Sequence, residues 1–290
     1  MSAQSIPFVK AHGVGNDFLL LQAADVAAVS LSDLARQMCD RHTGVGADGI
    51  VVLGPSPTAD ATFRIFNSDG SEATLSGNAI RCAAAVVASQ RSAPPVDMSF
   101  DTRVGLRALH SVSHAGQTWV FRAEMGTPEF SAAAVPFSPP SPPAEPMIGF
   151  AMPVGDTTFR ATIFFMGNPQ CILFLEDWDD FDWHVVGAAL ERHAYFPDRA
   201  NIGFVRVMDA RRIEARFWER GAGYTLASGT GSCACAVASH LNQKTGRRVT
   251  VALERGELEV NWRDDGMVEL TGPAQIVAHG QYVYLPGGAA

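Results

Sequence analysis

The phrase TLSGNAIRC (residues 74–82) returns as TLASGTGSCAC (residues 225–235), and each copy opens a run of alanine, cysteine and valine almost free of charge. Aligning SGNAIRCAAAVVAS with SGTGSCACAVASH pairs Ser76 with Ser228, Gly77 with Gly229, Asn78 with Thr230 and Ala79 with Gly231. The offset is 152 residues in a chain of 290. A strand-length apolar run precedes each copy and a helical run follows it, so the phrase predicts a duplication in which each half has its own core. A helix made of small apolar residues suits burial on all sides and close backbone approach. Each half therefore reads as a sheet wrapped around one buried helix.

Strand-length apolar runs recur along both halves: FLLLQ, GIVVLG, ATFRIFN, TWVFRAEM, TTFRATIFFMG, CILFL, IGFVRVMD, RRIEARFWE, VTVALE, GELEVNW, MVELTG and YVYLPG. Most are bounded by Gly, Asn, Asp or Pro, and several alternate apolar with polar residues as half-buried strands do. Helical patterns are fewer. They are LSDLARQMCDRH with Ser32 as the expected cap, FDWHVVGAALERH, and the two runs after Ser76 and Ser228. The expected class is α/β (α+β), with two pseudo-symmetric halves, each a mixed sheet or barrel around a central helix. Residues 1–124 with 276–290 are expected to form the first half and residues 125–275 the second. The stretch VPFSPPSPPAEP (residues 135–146) holds too much proline for a helix or a central strand, and reads as a loop.

Composition closes off several functions. A net charge of −8 disfavours a nucleic-acid or anionic membrane surface as partner. No apolar stretch reaches the length of a membrane span, and MSAQSIPFVKAHG shows no export signal. Five scattered cysteines read as buried thiols of a reducing compartment, the cytoplasm. The Cys233–Cys235 pair with His240 lacks zinc spacing, so no metal is expected. No phosphate-binding glycine loop or strand-linked dinucleotide fingerprint is present.

The repeat has a chemical meaning. The first N–H groups of a helix have no intrahelical partner and carry a partial positive charge, so two such starts form a site for a carboxylate. Serine is also an ordinary helix cap, and for either serine alone that reading suffices. Polar residues next to glycine gather at strand ends in HGVGNDF, RHTGVGADG, FNSDGSE, MGNPQC, ANIGF and WERGAGYT. Such loops permit close backbone approach and present amides and charges, which suits a zwitterionic or dicarboxylic ligand. His12 reads as structural, and Cys82 and Cys233 as core.

In order and spacing, KAHGVGNDF, DRHTGVGADG, FNSDGSEATLSGNAIRC, MGNPQC, ERGAGYTLASGTGSCACAVA and LTGPAQIVAHG resemble the diaminopimelate epimerase family over nearly the whole chain. The resemblance implies two α/β halves with an amino-acid substrate in the cleft between them. It also implies cofactor-independent inversion at the α-carbon and a place in lysine biosynthesis. By position, Asn16, Asn67, Asn168, Asn201, Glu219 and Arg220 would hold the substrate. The backbone N–H groups of Gly77–Asn78 and Gly229–Thr230 would hold its α-carboxylate. A homodimer is left open.

The chain departs from the family pattern at the catalytic positions. Where the family has two cysteines, one taking the α-proton as the other returns one, this chain has Ser76 and Ser228; where a histidine follows GNP it has Gln170. A thiol is readily ionised at a helix start, whereas an alkoxide lies several units higher, each unit costing about 1.4 kcal/mol. The expected catalytic set is Ser76, Ser228 and Glu219, with the carboxylate of Glu219 serving Ser228. The sequence leaves two alternatives to the epimerase: a lyase or tautomerase working from one base, and a non-catalytic amino-acid-binding protein.

Overall fold

The computed structural model describes residues 3–91 and 97–285. The ends of the expected first half, residues 1–2 and 286–290, lie outside them. Contacts divide the chain into one unit of residues 1–123 with 272–290 and another of residues 124–271. Both are mixed α+β, as the alternating runs predict.

In the first unit β1 (Gln4–Gly13) pairs antiparallel with β2 (Asn16–Gln22), and β2 runs parallel to β3 (Gly49–Gly54). The antiparallel β4 (Ala61–Asn67) follows, with the two-residue β5 (Glu72–Ala73) folded back on it. Next come β6 (Met98–Thr102), parallel to β4, then β7 (Gly105–Ala115) and β8 (Thr118–Gly126). The last strand of the chain, β17 (Val268–Tyr284), pairs with β8 and, over residues 275–284, with β1. The order β1-β2-β3-β4-β6-β7-β8-β17 thus closes on itself as an eight-stranded barrel. Closure leaves no open edge for another chain to pair with.

α1 (Leu31–Cys39) lies on β3 and β4, burying Leu34, Ala35, Met38 and Cys39. α2 (Gly77–Ser89) packs against β1, β2, β3 and β4, and its residues 78–86 are buried all round. Ala79, Ala83, Ala84, Ala85 and Ala88 help make this possible, because a position with no side chain beyond Cβ lets the helix backbone come close to the sheet.

The second unit repeats the plan. β9 (Met147–Val154) and β10 (Thr157–Phe165) lead into β11 (Pro169–Leu175), which is parallel to β12 (Asn201–Asp209). β13 (Arg212–Glu219), the short β14 (Gly223–Thr225), β15 (Arg248–Leu253) and β16 (Gly256–Trp262) follow, ending on residues 268–271 of β17. α3 (Trp183–Glu191) and the buried α4 (Gly229–Leu241) each begin 152 residues after α1 and α2. The predicted proline-rich loop is anchored in this unit's core, where Phe137 packs against Phe150, Tyr195 and Phe196.

Two local expectations need correction. Ser30, not Ser32, caps α1, accepting from Asp33 N–H at 3.4 Å, while Ser32 Oγ serves Arg36 instead. MVELTG and YVYLPG are the two ends of one 17-residue strand, β17, which passes through Pro273. Among the described residues no helix is long and apolar enough to cross a membrane.

Candidate functional site

In the first unit the hairpin joining β1 and β2 turns at Val14 and Gly15, both with positive φ (55° and 89°). The left-handed region is costly for a β-branched residue, by about 1–2 kcal/mol. Yet Val14 is buried and held there, and Asn16 opens β2 directly after it. Nδ2 of Asn16 donates to Asp48 Oδ2 at 2.6 Å, and its Oδ1 accepts from Nδ2 of Asn78 at 3.0 Å. Asn78 Oδ1 in turn accepts from the fully buried Arg81 at 2.6 Å, and Arg81 also donates to the Gly77 carbonyl at 3.0 Å. Ser76 caps α2, its Oγ accepting from Ala79 N–H at 3.3 Å. Among the described residues its own hydroxyl hydrogen has no acceptor. Asn67 closes the turn between β4 and β5, donating to Ser71 Oγ at 2.9 Å, and makes no bond to the Asn16–Asn78 pair.

The β1–β2 ends are locked by charge. Asp17 accepts from Arg41 at 2.8 Å and pairs with Lys10 at 3.0 Å. Burial alone would raise its pKa, but the hydrogen bonds and charges of Arg41 and Lys10 outweigh it and hold the carboxyl below its usual range.

In the second unit Ser228 caps α4 and is buried. Its Oγ accepts from Gly231 N–H at 3.1 Å and donates to Glu219 Oε1 at 2.6 Å. Thr225 donates to the other oxygen of Glu219 at 2.8 Å, so the carboxylate is oriented from both sides. A hydroxyl held on a carboxylate at this distance is a strong, charge-assisted hydrogen bond, with the proton already directed toward a base. The third helix position must be glycine: a Cβ on Gly231 would lie 2.8 Å from Ser228 Oγ and 2.8 Å from the Phe217 ring. The first unit has Ala79 there.

Asn201, at the start of β12, accepts Arg220 N–H on its Oδ1 at 2.8 Å. The Arg220 side chain is exposed and donates to the Asp198 carbonyl at 3.1 Å. Asn168 follows the left-handed Gly167 and accepts a short hydrogen bond from Gln170. A Cβ on Gly167 would lie 3.7 Å from the Thr230 methyl group. Gln170 is fully buried, and its Oε1 has no partner among the described residues.

Sequence reasoning missed Glu191 and Arg81. Glu191, at the end of α3, is 3% exposed and accepts from Gly221 N–H at 3.1 Å, Arg192 at 3.1 Å and Arg199 at 3.3 Å. Desolvation pushes its pKa up, but the three donors together bring it below the usual carboxylate value. Gly221 sits in the turn that carries Glu219 and Arg220, so Glu191 ties that turn to α3. The acidic residue in an otherwise apolar helix end was the available signal.

The thiols stand apart from this chemistry. All five cysteines are buried and unbridged. Burial pushes Cys82 up to about 12 and raises Cys171 and Cys235 further. No thiolate forms at such values near neutrality, so Cys82 is core, as expected. Cys233, fully buried in α4, is core as well. His12 lies in the β1–β2 hairpin, where Nδ1 accepts from Gly15 N–H at 3.3 Å.

Comparison with known proteins places this geometry. The diaminopimelate epimerase family model matches residues 8–131 and 162–277. A diaminopimelate epimerase of Pelotomaculum thermopropionicum is 42% identical over 279 residues, covering 96% of this chain and 99% of its own. One from Methanococcus maripaludis is 36% identical over 275 residues, covering 94% of this chain and 98% of its own. Among solved structures, a PhzF-family phenazine biosynthesis protein of Bacillus anthracis superposes with a TM-score of 0.68 at 13% identity, over 96% of this chain and 99% of that one. A hydroxyproline epimerase of Agrobacterium vitis gives 0.67 at 11% identity, over 97% and 93%; both likenesses speak for the fold alone. Model match, full-length relatives and fold agree: the chain belongs to the diaminopimelate epimerase family, a family of isomerases.

Proposed function

We propose that the chain inverts one α-carbon of diaminopimelate, converting the L,L to the meso form without a cofactor, and that Ser76, Ser228 and Glu219 carry the proton transfers. The observation that supports this most directly is the 2.6 Å bond from Ser228 Oγ to Glu219 Oε1 at the start of α4. A serine hydroxyl alone is too weak a base for an α-proton. Glu219 changes this: as Ser228 Oγ takes the α-proton, its own hydroxyl proton passes to Glu219, and the electron pair of the broken C–H bond stays on the substrate. Ser76 then gives a proton to the opposite face of that carbon, and its alkoxide is stabilised by the N-terminal field of α2 until water reprotonates it. The glutamic acid returns its proton to solvent, and the cycle balances.

Under this reading Asn16, Asn67, Asn168, Asn201 and Arg220 position the substrate, while the N–H groups of Gly77–Asn78 and Gly229–Thr230 hold a carboxylate. The activity belongs to lysine biosynthesis in the cytoplasm. Incubation with L,L-diaminopimelate in D₂O, followed by NMR, tests it: deuterium appears at one α-carbon with conversion to the meso form.

One observation favours a second reading. Among the described residues Ser228 has a carboxylate partner and Ser76 has none, as one-base elimination or tautomerisation requires. Loss of water or ammonia along with the α-proton establishes that reaction instead. Binding without exchange identifies an amino-acid-binding protein.

A further inference from the structure

The turn that carries Glu219 continues in small residues, Gly221, Ala222 and Gly223, and both glycines have positive φ (78° and 75°). A cavity of about 640 Å³ borders it, lined by Ala188, Arg192, Trp218, Gly221 and Gly223. Hydrogen bonds fix such a turn better than packing can. Ala222 N–H closes it on the Glu219 carbonyl at 3.1 Å, and the two N–H groups between go to side chains of other segments. Arg220 N–H donates to Asn201 Oδ1 at 2.8 Å, and Gly221 N–H donates to Glu191 Oε1 at 3.1 Å.

Glu191 ends α3, where the carbonyl end of the helix dipole disfavours an anion, and it is buried, where a charge is costly. Its carboxylate therefore serves neither the helix nor the core. It ties three segments together. Oε1 also accepts from Arg199 at 3.3 Å, Oε2 accepts from Arg192 at 3.1 Å, and the Glu191 carbonyl accepts Ala200 N–H at 3.4 Å. Arg199 is held at a left-handed φ of 61°, two residues before Asn201. α3 is also seated closely on the strand that ends in Glu219: a Cβ on Gly187 would lie 2.9 Å from Trp218 Cβ. In the first unit the last residue of α1 is the neutral Cys39, and the turn after Asn67 is tied to that helix by an exposed side chain, Arg36, on the Asp69 carbonyl at 3.2 Å.

We infer that Glu191 is a positioning residue for Glu219: it clamps the β13–β14 turn to α3 and to the loop before β12, and so keeps the Glu219 carboxylate on Ser228 Oγ. The inference rests on the proposed role of Glu219 as the base that serves Ser228, and deepens it. Gly221 N–H lies two residues from Glu219. Its release lets the turn swing toward the cavity, and a displacement of about 1 Å costs a positioned proton transfer about a hundredfold.

The test compares three variants of the full chain. Glu191→Ala removes the clamp and should lower kcat about a hundredfold. Glu191→Gln keeps an acceptor for Gly221 N–H but loses both ion pairs, and should lower kcat only about tenfold. In both, kcat should fall by more than KM rises. Leu190→Ala deletes a fully buried side chain one position earlier in the helix. It should lower the melting temperature and leave kcat within about twofold of the parent. In the absence of substrate, the ¹³C signal of the Glu219 carboxyl and the ¹⁵N amide signal of Gly221 should move in both Glu191 variants, more in Glu191→Ala. Where Glu191→Ala does not fold, Arg199→Asn serves, at a side chain 47% exposed and a left-handed backbone that suits asparagine; it should move the same two signals by less.

Equal kcat losses from Glu191→Ala and Leu190→Ala would make Glu191 a merely structural residue and overturn the inference. So would Glu219 and Gly221 signals that ignore every change at Glu191. A chain inactive on diaminopimelate with both signals displaced defeats the proposed reaction and leaves the clamp standing, whereas turnover indifferent to Glu191→Ala defeats the clamp alone.

Discussion

Ser76 and Ser228 stand at the same point of the same repeat, each capping a buried alanine-rich helix, yet their surroundings differ in charge. Ser228 lies against Glu219, and the residue five positions into its helix is the neutral Cys233. Asn67 occupies the position equivalent to Glu219 in the first unit, and the residue five positions after Ser76 is the buried cation Arg81. The two copies share the backbone that makes a helix start and differ in the neighbouring charges. Under the proposed reaction this separates the roles: the carboxylate side collects a proton, and the side with the buried cation tolerates a developing anion.

The largest expected effect comes from erasing that difference. Glu219→Gln keeps shape and hydrogen-bonding capacity but removes the base, and should lower kcat by about a thousandfold, within the range for a general base. Asn67→Gln, the matched change in the other unit, should leave kcat nearly unchanged and act on KM. Equal losses in kcat from the two variants would show that the half-sites are equivalent.

Next in size are thiol replacements. Ser76→Cys places a sulfhydryl at a helix start over a buried cation, so its pKa should fall below the ordinary value of about 8.5, measurable by alkylation rate against pH. Ser228→Cys sits against a carboxylate and should titrate above it. The reverse order would break the comparison, and the double variant should exceed the parent rate by at least about tenfold, given the cost of an alkoxide.

Stability effects are smaller. Gly231→Ala should cost about 1–3 kcal/mol in urea unfolding, since the added methyl group meets Phe217 and Ser228 Oγ. Ala79→Gly should cost about 1 kcal/mol, for backbone entropy alone. The smallest effect expected near neutrality is in the pH profile of stability. Asp17 and Glu191 have folded pKa values below their unfolded ones, so their stabilisation is present above about pH 4 and is lost as pH falls through the depressed folded values. Glu191→Gln should flatten that acid limb. An unchanged limb would mean the turn carrying Glu219 is held by other contacts.

The buried helices were legible in the sequence because alanine and cysteine without charge admit few other placements, and FLLLQ, GIVVLG and IGFVRVMD because buried strands are continuous apolar runs. β7 was not legible. Its sequence GLRALHSVSHA is exposed along most of its length, so no burial pattern marks it, and its place is fixed by pairing with β6 and β8. β17 was read as two strands because Pro273 and a polar stretch interrupt its apolar ends. Glu219 was readable through the repeat and the resemblance. Glu191 and Asp48 were not, since each acts on a residue about 30 positions from it in sequence, and Arg81, which bonds Asn78 within its own helix, was passed over inside a run read as apolar core.

By itself the sequence determined that there are two halves, that each surrounds a small-residue helix, and that a serine begins each of those helices. Those facts follow from periodicity, residue size and capping, which are local. Only the tertiary structure decided that Glu219 takes the Ser228 hydroxyl, and that the Glu191 carboxylate takes Gly221 N–H from 30 residues away. Hydrogen-bond partners and the sign of a local field depend on which strands lie side by side, and that register belongs to the folded chain.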